Sequence, residues 1–281
     1  MNPYTITVFG ATGKTGRHVL RQAAARGWRV RAAGRRPLEH GEWTSFDWDE
    51  EDTWTRASTG SDAAYVVIPY RHPGAPEKAP RLLESIAAAG VGRIVLLSTL
   101  DAENAPDSDP SRAAELALQR LPVASAILRP TWFMDNFTVG SFAAMTDAGE
   151  IRLPAGEGRI PFVDARDIAA VAVAALGPGG PSGVMPITGP EQLTHHDVAD
   201  ALAKGLGKPV RYTHVEPDEF IELMISRGFT REYGVFLANA LSDVASGRLS
   251  IPVSDTVARW AGRAPYTIHD FARGHERRRL P

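Results

Sequence analysis

The sequence predicts a parallel α/β sheet covered by helices on both faces, followed by a smaller, mainly helical lobe. Three observations carry that prediction. A short apolar strand runs directly into a glycine-spaced turn at residues 10–16. Strand-like and helix-like segments then alternate through the first half, and the rhythm changes from Arg129 onward. Residues 1–150 are expected to form the sheet domain, and residues 151–281 a lobe partly interleaved with it.

Thr5-Ile6-Thr7-Val8-Phe9 is apolar or β-branched throughout, as a strand buried on both faces requires. After the glycine turn, Val19, Leu20, Ala23 and Ala24 mark one helical face, and Gly27 ends it. Trp28 to Ala33 reads as the second strand, Glu42 to Asp47 as a short third, and Asp62 to Ile68 as a fourth, closed by Pro69. A helix burying Leu82, Leu83 and Ile86 stops at Gly90, and Arg93 to Ser98 is the fifth strand. Asp109-Pro110 supplies an N-cap and a first-turn proline for a helix that turns Leu116 and Leu121 inward. Val123 to Leu128 is the sixth strand. Beyond it, Asp164 caps and Asp167 opens an alanine-rich helix ending at Gly177, and Val184 to Thr188 is a further strand. Two or three helices are expected over residues 194–260. Arg277 to Arg279 reads as a frayed tail.

The turn carries the first chemical signal. Gly10, Gly13 and Gly16, at intervals of three between strand and helix, suit a dinucleotide pyrophosphate, with Thr12, Lys14 and Thr15 around it. Gly10 permits the tight turn, Gly13 lets backbone approach phosphate, and Gly16 lets the helix pack close to the sheet. Amide N–H groups of the first helical turn then face the anion. Gly13-Lys14-Thr15 also resembles the end of a nucleoside-triphosphate loop, but that loop needs a glycine where Val8 stands.

The first thirty-eight residues contain no Asp or Glu, and the second strand ends in Gly34-Arg35-Arg36. An NAD site usually places an acid there for the ribose 2′-hydroxyl, whereas an arginine forks onto a 2′-phosphate. Arg35 thus points to NADPH over NADH, unless it is simply part of a solvated basic turn. On the same sheet edge, Ile68 and Pro69 after the fourth strand and Pro130 after the sixth are expected to line the cofactor. Tyr70, Trp132, Phe133, Asn136 and Phe137 are expected to meet the substrate. The aromatics among them also fit a core.

Composition narrows the rest. Lys plus Arg is 31 against 33 acids in 281 residues, and a net charge of −2 argues against nucleic acid as a partner. The absence of cysteine excludes disulfides, thiolate metal sites and cysteine nucleophiles, and fits a reducing cytoplasm. Met1-Asn2-Pro3 does not begin a signal peptide, and the apolar stretch Ile168 to Leu176 is too short to span a bilayer. A soluble, cytoplasmic monomer or homodimer acting on a small molecule is expected. His195-His196-Asp197 reads as a helix start after Thr194, its adjacent histidines facing apart, rather than as a metal cluster.

Taken together, Val8 to Gly16, Phe46-Asp47-Trp48, Ser98, Leu128 to Phe133 and Pro161 to Ala169 resemble the NmrA-like atypical short-chain dehydrogenases/reductases. The likeness extends to Thr188 to Thr194 and is greatest to bacterial relatives of the ergot-alkaloid reductases. It implies an NAD(P)-binding Rossmann core and a helical lobe over the substrate cleft. It also implies adenine contact at Asp47, with Trp48 as its neighbour, and a serine at the position of Ser98 as the catalytic candidate. The wider superfamily's Tyr-x-x-x-Lys pair is missing. The residues four positions after the six tyrosines are Val8, Pro69, Gly74, Glu216, Leu237 and Asp270, and the helix that should carry the pair reads Ser111-Arg112-Ala113-Ala114-Glu115.

The resemblance therefore implies an NADPH-dependent reductase without that dyad, moving hydride to a polarised C=O or C=N of a bulky aromatic natural product such as a polyketide. Retention of Ser98 favours the ketone, provided the serine donates to substrate oxygen rather than satisfying backbone. An iminium carbon needs no acid. A non-enzymatic NADP(H) sensor that binds a protein partner is the alternative. His72 is the best-placed histidine near the nicotinamide, or else a solvated loop residue.

Overall fold

The structure, a computed structural model, describes residues 3–38, 41–69 and 71–279, with side chains as far as residue 274. The chain groups into two compact units. One comprises Met1–Pro130, Ala165–Ile187 and Asp255–Arg263, and the other Thr131–Asp164, Thr188–Ser254 and Ala264–Pro281. The expected boundary at residue 150 thus lies inside the second unit, and the chain leaves the first unit already after Pro130.

The first unit begins with β1 (Thr5–Phe9), α1 (Gly16–Ala24), β2 (Arg29–Gly34), β3 (Glu42–Ser45) and α2 (Asp52–Ser58). It continues with β4 (Ala63–Val67), α3 (Ala75–Ala88), β5 (Arg93–Leu97), α4 (Pro110–Arg120) and β6 (Ala124–Pro130). The second unit takes a 3-10 turn (Met134–Phe137), α5 (Ala143–Asp147) and β7 (Glu150–Leu153). Then α6 (Ala165–Leu176) and β8 (Gly183–Ile187) return to the first unit. α7 (His195–Leu206), β9 (Arg211–His214), α8 (Pro217–Ser226) and α9 (Arg231–Ala245) belong to the second, α10 (Thr256–Ala261) to the first, and α11 (Ile268–Arg279) to the second.

The first unit's sheet has seven strands in the order β3-β2-β1-β4-β5-β6-β8, every pair parallel. Parallel strands require crossovers, and helices in those crossovers cover both faces, which is why β1 and β4 are made of apolar and β-branched residues throughout. Period-two alternation then sorts the side chains. Ala64, Val66, Ile94, Leu96 and Ile127 enter a core with Trp54, Leu82, Leu83, Ile86 and Leu118, which α2, α3 and α4 contribute. Tyr65 points to the other side, toward α1, where its hydroxyl reaches Thr15. α1 and α6 are tied by the Gln22 side-chain amide, which donates to the Arg166 carbonyl (3.0 Å).

Several expectations need correction. α2, α5, β7 and β9 were not legible, being short or mixed in composition. Residues 194–261 hold four helices and a strand rather than two or three helices. Residues 277–279 continue α11 instead of fraying. On α1 only Val19 and Ala23 of the four expected apolar positions are fully buried. On α4 the buried positions are Ser111, Ala114, Glu115 and Leu118, not Leu116. Spacing of i, i+3, i+4 and i+7 makes these four a single stripe, and it carries a carboxylate inward. The Asp109 cap is as expected, its carboxylate accepting from the amides of Ser111 (2.8 Å) and Arg112.

In the second unit, β7 and β9 form a two-stranded parallel sheet. Thr194 and Asp197 close a reciprocal capping box at the start of α7. Among the described residues, no helix is long and apolar enough to cross a membrane.

Candidate functional site

The glycine turn is built so that only glycine fits at its two ends. Gly10 adopts φ +80°, a left-handed conformation. A Cβ on Gly16 would lie 2.2 Å from the Gly10 carbonyl oxygen, so the first residue of α1 sits against the turn's own backbone. The close approach that Gly16 allows is therefore to the turn rather than to the sheet. Thr15, at the N-cap, makes no side-chain cap, and the first turn of α1 holds no acid. Thr15 is instead drawn inward, its Oγ1 accepting from the fully buried Tyr65 hydroxyl (2.8 Å). Burial pushes the Tyr65 phenol far above its ordinary pKa, so it stays protonated. A helix terminus without an internal cap or acid beside a glycine turn fits an anion, and two linked phosphates in particular.

Arginines on β2 and beyond it are not equivalent. Arg29 pairs with Glu42 (2.7 Å), and Arg31 donates to the Thr59 carbonyl (2.9 Å). Arg35 and Arg36 are exposed, and among the described residues no acid pairs with either. Glu39, the first acid in the sequence, lies outside the described residues. An arginine fork is the side chain that suits a 2′-phosphate.

Asp47 follows β3 in a turn fastened from α2. The Trp54 indole N–H donates to the Asp47 carbonyl (2.9 Å), and Asp47 Oδ1 accepts from the Asp49 amide (3.0 Å). Its other carboxylate oxygen is unused among the described residues. Trp48 is buried against Trp54, ring centroids 6.1 Å apart, and its indole N–H finds no acceptor among the described residues. After β4, Ile68 is buried and Pro69 exposed, and Tyr70 lies outside the described residues. His72 fastens its own loop. Its Nδ1 accepts from the Gly74 amide, and its Nε2 faces Asp49, which also pairs with Lys78.

Ser98 stands immediately after β5, and its amide donates to the Leu128 carbonyl (2.8 Å). The β5–β6 register pairs Leu97 with Leu128, so Ser98 and Arg129 are neighbours on the face that α4 covers. There the inward stripe of α4 delivers Glu115, which is fully buried. The Ser98 hydroxyl donates to Glu115 Oε1. Arg129 clamps both carboxylate oxygens, Nε to Oε1 at 2.9 Å and a terminal nitrogen to Oε2 at 2.6 Å, and also pairs with Glu103. Those hydrogen bonds hold the Arg129 guanidinium above its ordinary pKa, against the opposing effect of burial. An ionised carboxylate only accepts, so the serine proton has one direction. Sequence reasoning met Glu115 only as the end of the helix segment that lacks the Tyr–Lys pair, and it gave no site role to Arg129, Glu103 or Tyr65. The readable signal was a glutamate on the apolar stripe 111-114-115-118.

Pro130 is buried at the end of β6. In the second unit, Trp132 is partly exposed and stacks on Phe142 (6.4 Å, interplanar 14°). Phe133 and Asn136 are also partly exposed, and Phe133 bridges to Val163. Phe137 is not a surface aromatic. It is wholly buried, with Phe142 and Phe162 each 5.6 Å away and His195 at 6.1 Å. His195 belongs to that aromatic cluster while His196 points outward. Burial pushes the His195 imidazole down to about 3, so it is neutral.

The model of the NmrA-like family matches residues 3–241. An NAD(P)H azoreductase of Xenophilus azovorans is 34% identical over 288 residues, covering 96% of this chain and 97% of that protein. The festuclavine dehydrogenase easG of Aspergillus fumigatus is 30% identical over 281 residues, covering 95% and 96%. Among solved structures, the NADPH complex of the Escherichia coli quinone oxidoreductase QOR2 has a similar fold, with a TM-score of 0.82 at 23% identity, covering 96% of this chain and 99% of that one. With a glycine turn, an ordered parallel sheet and relatives matched nearly end to end, the chain belongs to the NmrA-like family.

Proposed function

We propose that this protein is an NADPH-dependent reductase acting on a bulky aromatic small molecule at a polarised double bond. The observation that carries the reading is the glycine turn with its acid-free helix terminus, accompanied by Arg35, which no acid neutralises among the described residues. Relatives named as an NAD(P)H azoreductase and a festuclavine dehydrogenase support it. In this reading Gly10 to Gly16 holds the pyrophosphate, Arg35 the 2′-phosphate, and Asp47 and Trp48 flank the adenine. When bound, NADPH supplies hydride from its nicotinamide.

The polarity of the Ser98 hydroxyl bears on which bond accepts that hydride. Reduction of a ketone develops oxyanion charge, which needs a donor. Ser98 already donates to Glu115, and a serine that must abandon an ionised carboxylate is a poor oxyanion donor. Tyr65 is buried and committed to Thr15. An iminium carbon is positive from the outset and takes hydride with no acid. We therefore place C=N ahead of C=O, and restrict ketones to those carrying their own neighbouring hydroxyl. Partly exposed Trp132 and Phe133 supply flat apolar surface for an aromatic substrate.

The test is NADPH consumption by the purified protein with cyclic iminium ions, aromatic ketones bearing an adjacent hydroxyl, and the same ketones without it. Iminium ions and hydroxyketones should be reduced, and Trp132→Ala should raise KM or lower kcat while NADPH affinity stays unchanged. Equal turnover of the plain ketones would overturn the assignment of bond type. Binding of NADPH with no turnover of any substrate, and a Trp132→Ala variant that only melts early, would establish the dinucleotide-sensing regulator instead.

A further inference from the structure

The orientation of Ser98 has a second side. A serine hydroxyl carries one proton and two lone pairs. The proton goes to Glu115, and among the described residues nothing donates to the Ser98 oxygen. Ser98 is 6% exposed and stands at the carboxyl end of β5, in the β4-β5-β6 half of the sheet. In a doubly wound sheet that half takes the second mononucleotide, and ligands lie beyond the carboxyl ends of the strands.

We propose that Ser98 is a hydrogen-bond acceptor for an N–H or O–H donor of the nicotinamide half of the cofactor, and that Glu115 is the positioning residue that fixes this polarity. The inference rests on the NADPH reading above. Two donor groups of that half share the required chemistry, the ring carboxamide and the ribose hydroxyls. Glu115 is suited to its part because Arg129 grips both of its oxygens. The carboxylate is thereby fixed in rotation, with Oε1 held where it accepts the hydrogen bond of the serine hydroxyl. A glutamine in its place has an N–H that can donate to Ser98, which releases the hydroxyl to turn around.

The experiment is calorimetric titration of wild type, Ser98→Ala, Glu115→Gln and the double variant with two ligands. One ligand is NADPH and the other is 2′-phospho-ADP, which lacks both the nicotinamide and its ribose. Ser98→Ala should weaken NADPH about three- to tenfold, the worth of one hydrogen bond, and leave the truncated ligand within about twofold. Glu115→Gln should show a similar selective loss, and that loss should vanish in the Ser98→Ala background, because Glu115 acts through the serine. Repeating the Ser98→Ala comparison with the 3-acetylpyridine analogue separates the two donors. A loss that persists assigns the ribose hydroxyl, and a loss that disappears assigns the carboxamide.

Unchanged NADPH affinity in Ser98→Ala overturns the proposal, as does an equal loss for both ligands, which would mark a structural defect. A Glu115→Gln effect that survives in the double variant removes Glu115 from its assigned part. If Glu115→Gln does not fold, Ser98→Ala with the two ligands still decides for the serine. A wild-type protein that binds neither ligand fails at the cofactor reading and takes this proposal with it. One that binds both but reduces nothing fails only as a reductase.

Discussion

Arg35 follows the carboxyl end of β2, and Arg129 stands one residue before the end of β6, on the same edge of one sheet. Arg35 is exposed, and no acid pairs with it among the described residues, whereas Arg129 is buried between Glu115 and Glu103. The two arginines are indistinguishable by residue type and each lies close to a strand end. What separates them is how many carboxylates the fold brings to each. Among the described residues, Arg35 meets no carboxylate. The other is spent holding Glu115, and through it the direction of the Ser98 proton. A basic residue at a ligand edge is thus a binding group only after its internal partners have been counted.

The comparison breaks most visibly at Arg129. Arg129→Met leaves the Glu115 carboxylate buried without its cation, and removal of one partner from a buried pair costs about 3–5 kcal/mol. Urea unfolding checks it, and a loss below about 1 kcal/mol would show that water or another group takes over the carboxylate. Arg35→Asp should instead leave stability nearly unchanged. It should weaken NADPH by roughly ten- to a hundredfold, with NADH barely affected, because a charge-assisted contact becomes a repulsion. Equal affinities for the two cofactors in the wild-type protein would sink the assignment of Arg35 to a 2′-phosphate. The smallest effect is expected at Tyr65. Tyr65→Phe removes one donor from Thr15 and should lower stability by about 0.5–1.5 kcal/mol while activity is largely retained. A drop in kcat of about four orders of magnitude would mean that a tyrosine serves as general acid after all.

The same contrast explains what was legible in the sequence. The glycine turn, the strand before it and the Asp109 and Thr194 caps are local arrangements, each decided by residues within a few positions of one another. Arg35 stood out for a similar reason, since no acid precedes it in the chain. The Ser98 cluster joins positions 98, 103, 115 and 129, and its polarity depends on a strand register and a helix rotation together. Ser98 was therefore found as a residue, while Glu115, which accepts its hydrogen bond, was not. Phe137 failed differently. Its neighbours Phe162 and His195 come from far along the chain, and an aromatic residue after a strand looks the same whether it faces a ligand or a core.

The alternation of the chain between its two units has a consequence for synthesis and for truncation. β8 joins the sheet only through residues 183–187, and α6, which packs with α1, spans residues 165–176. A ribosome that has released the first 130 residues has therefore delivered six of the seven strands, with β6 still lacking its outer neighbour. An open parallel edge carrying Ala126, Ile127 and Leu128 is a template for pairing with other chains. A polypeptide cut at residue 150 would keep that edge bare permanently and would also lose the helix beside α1. Its fate should be inclusion bodies rather than a free-standing nucleotide-binding fragment, and only chains extended past residue 187 can seal the sheet.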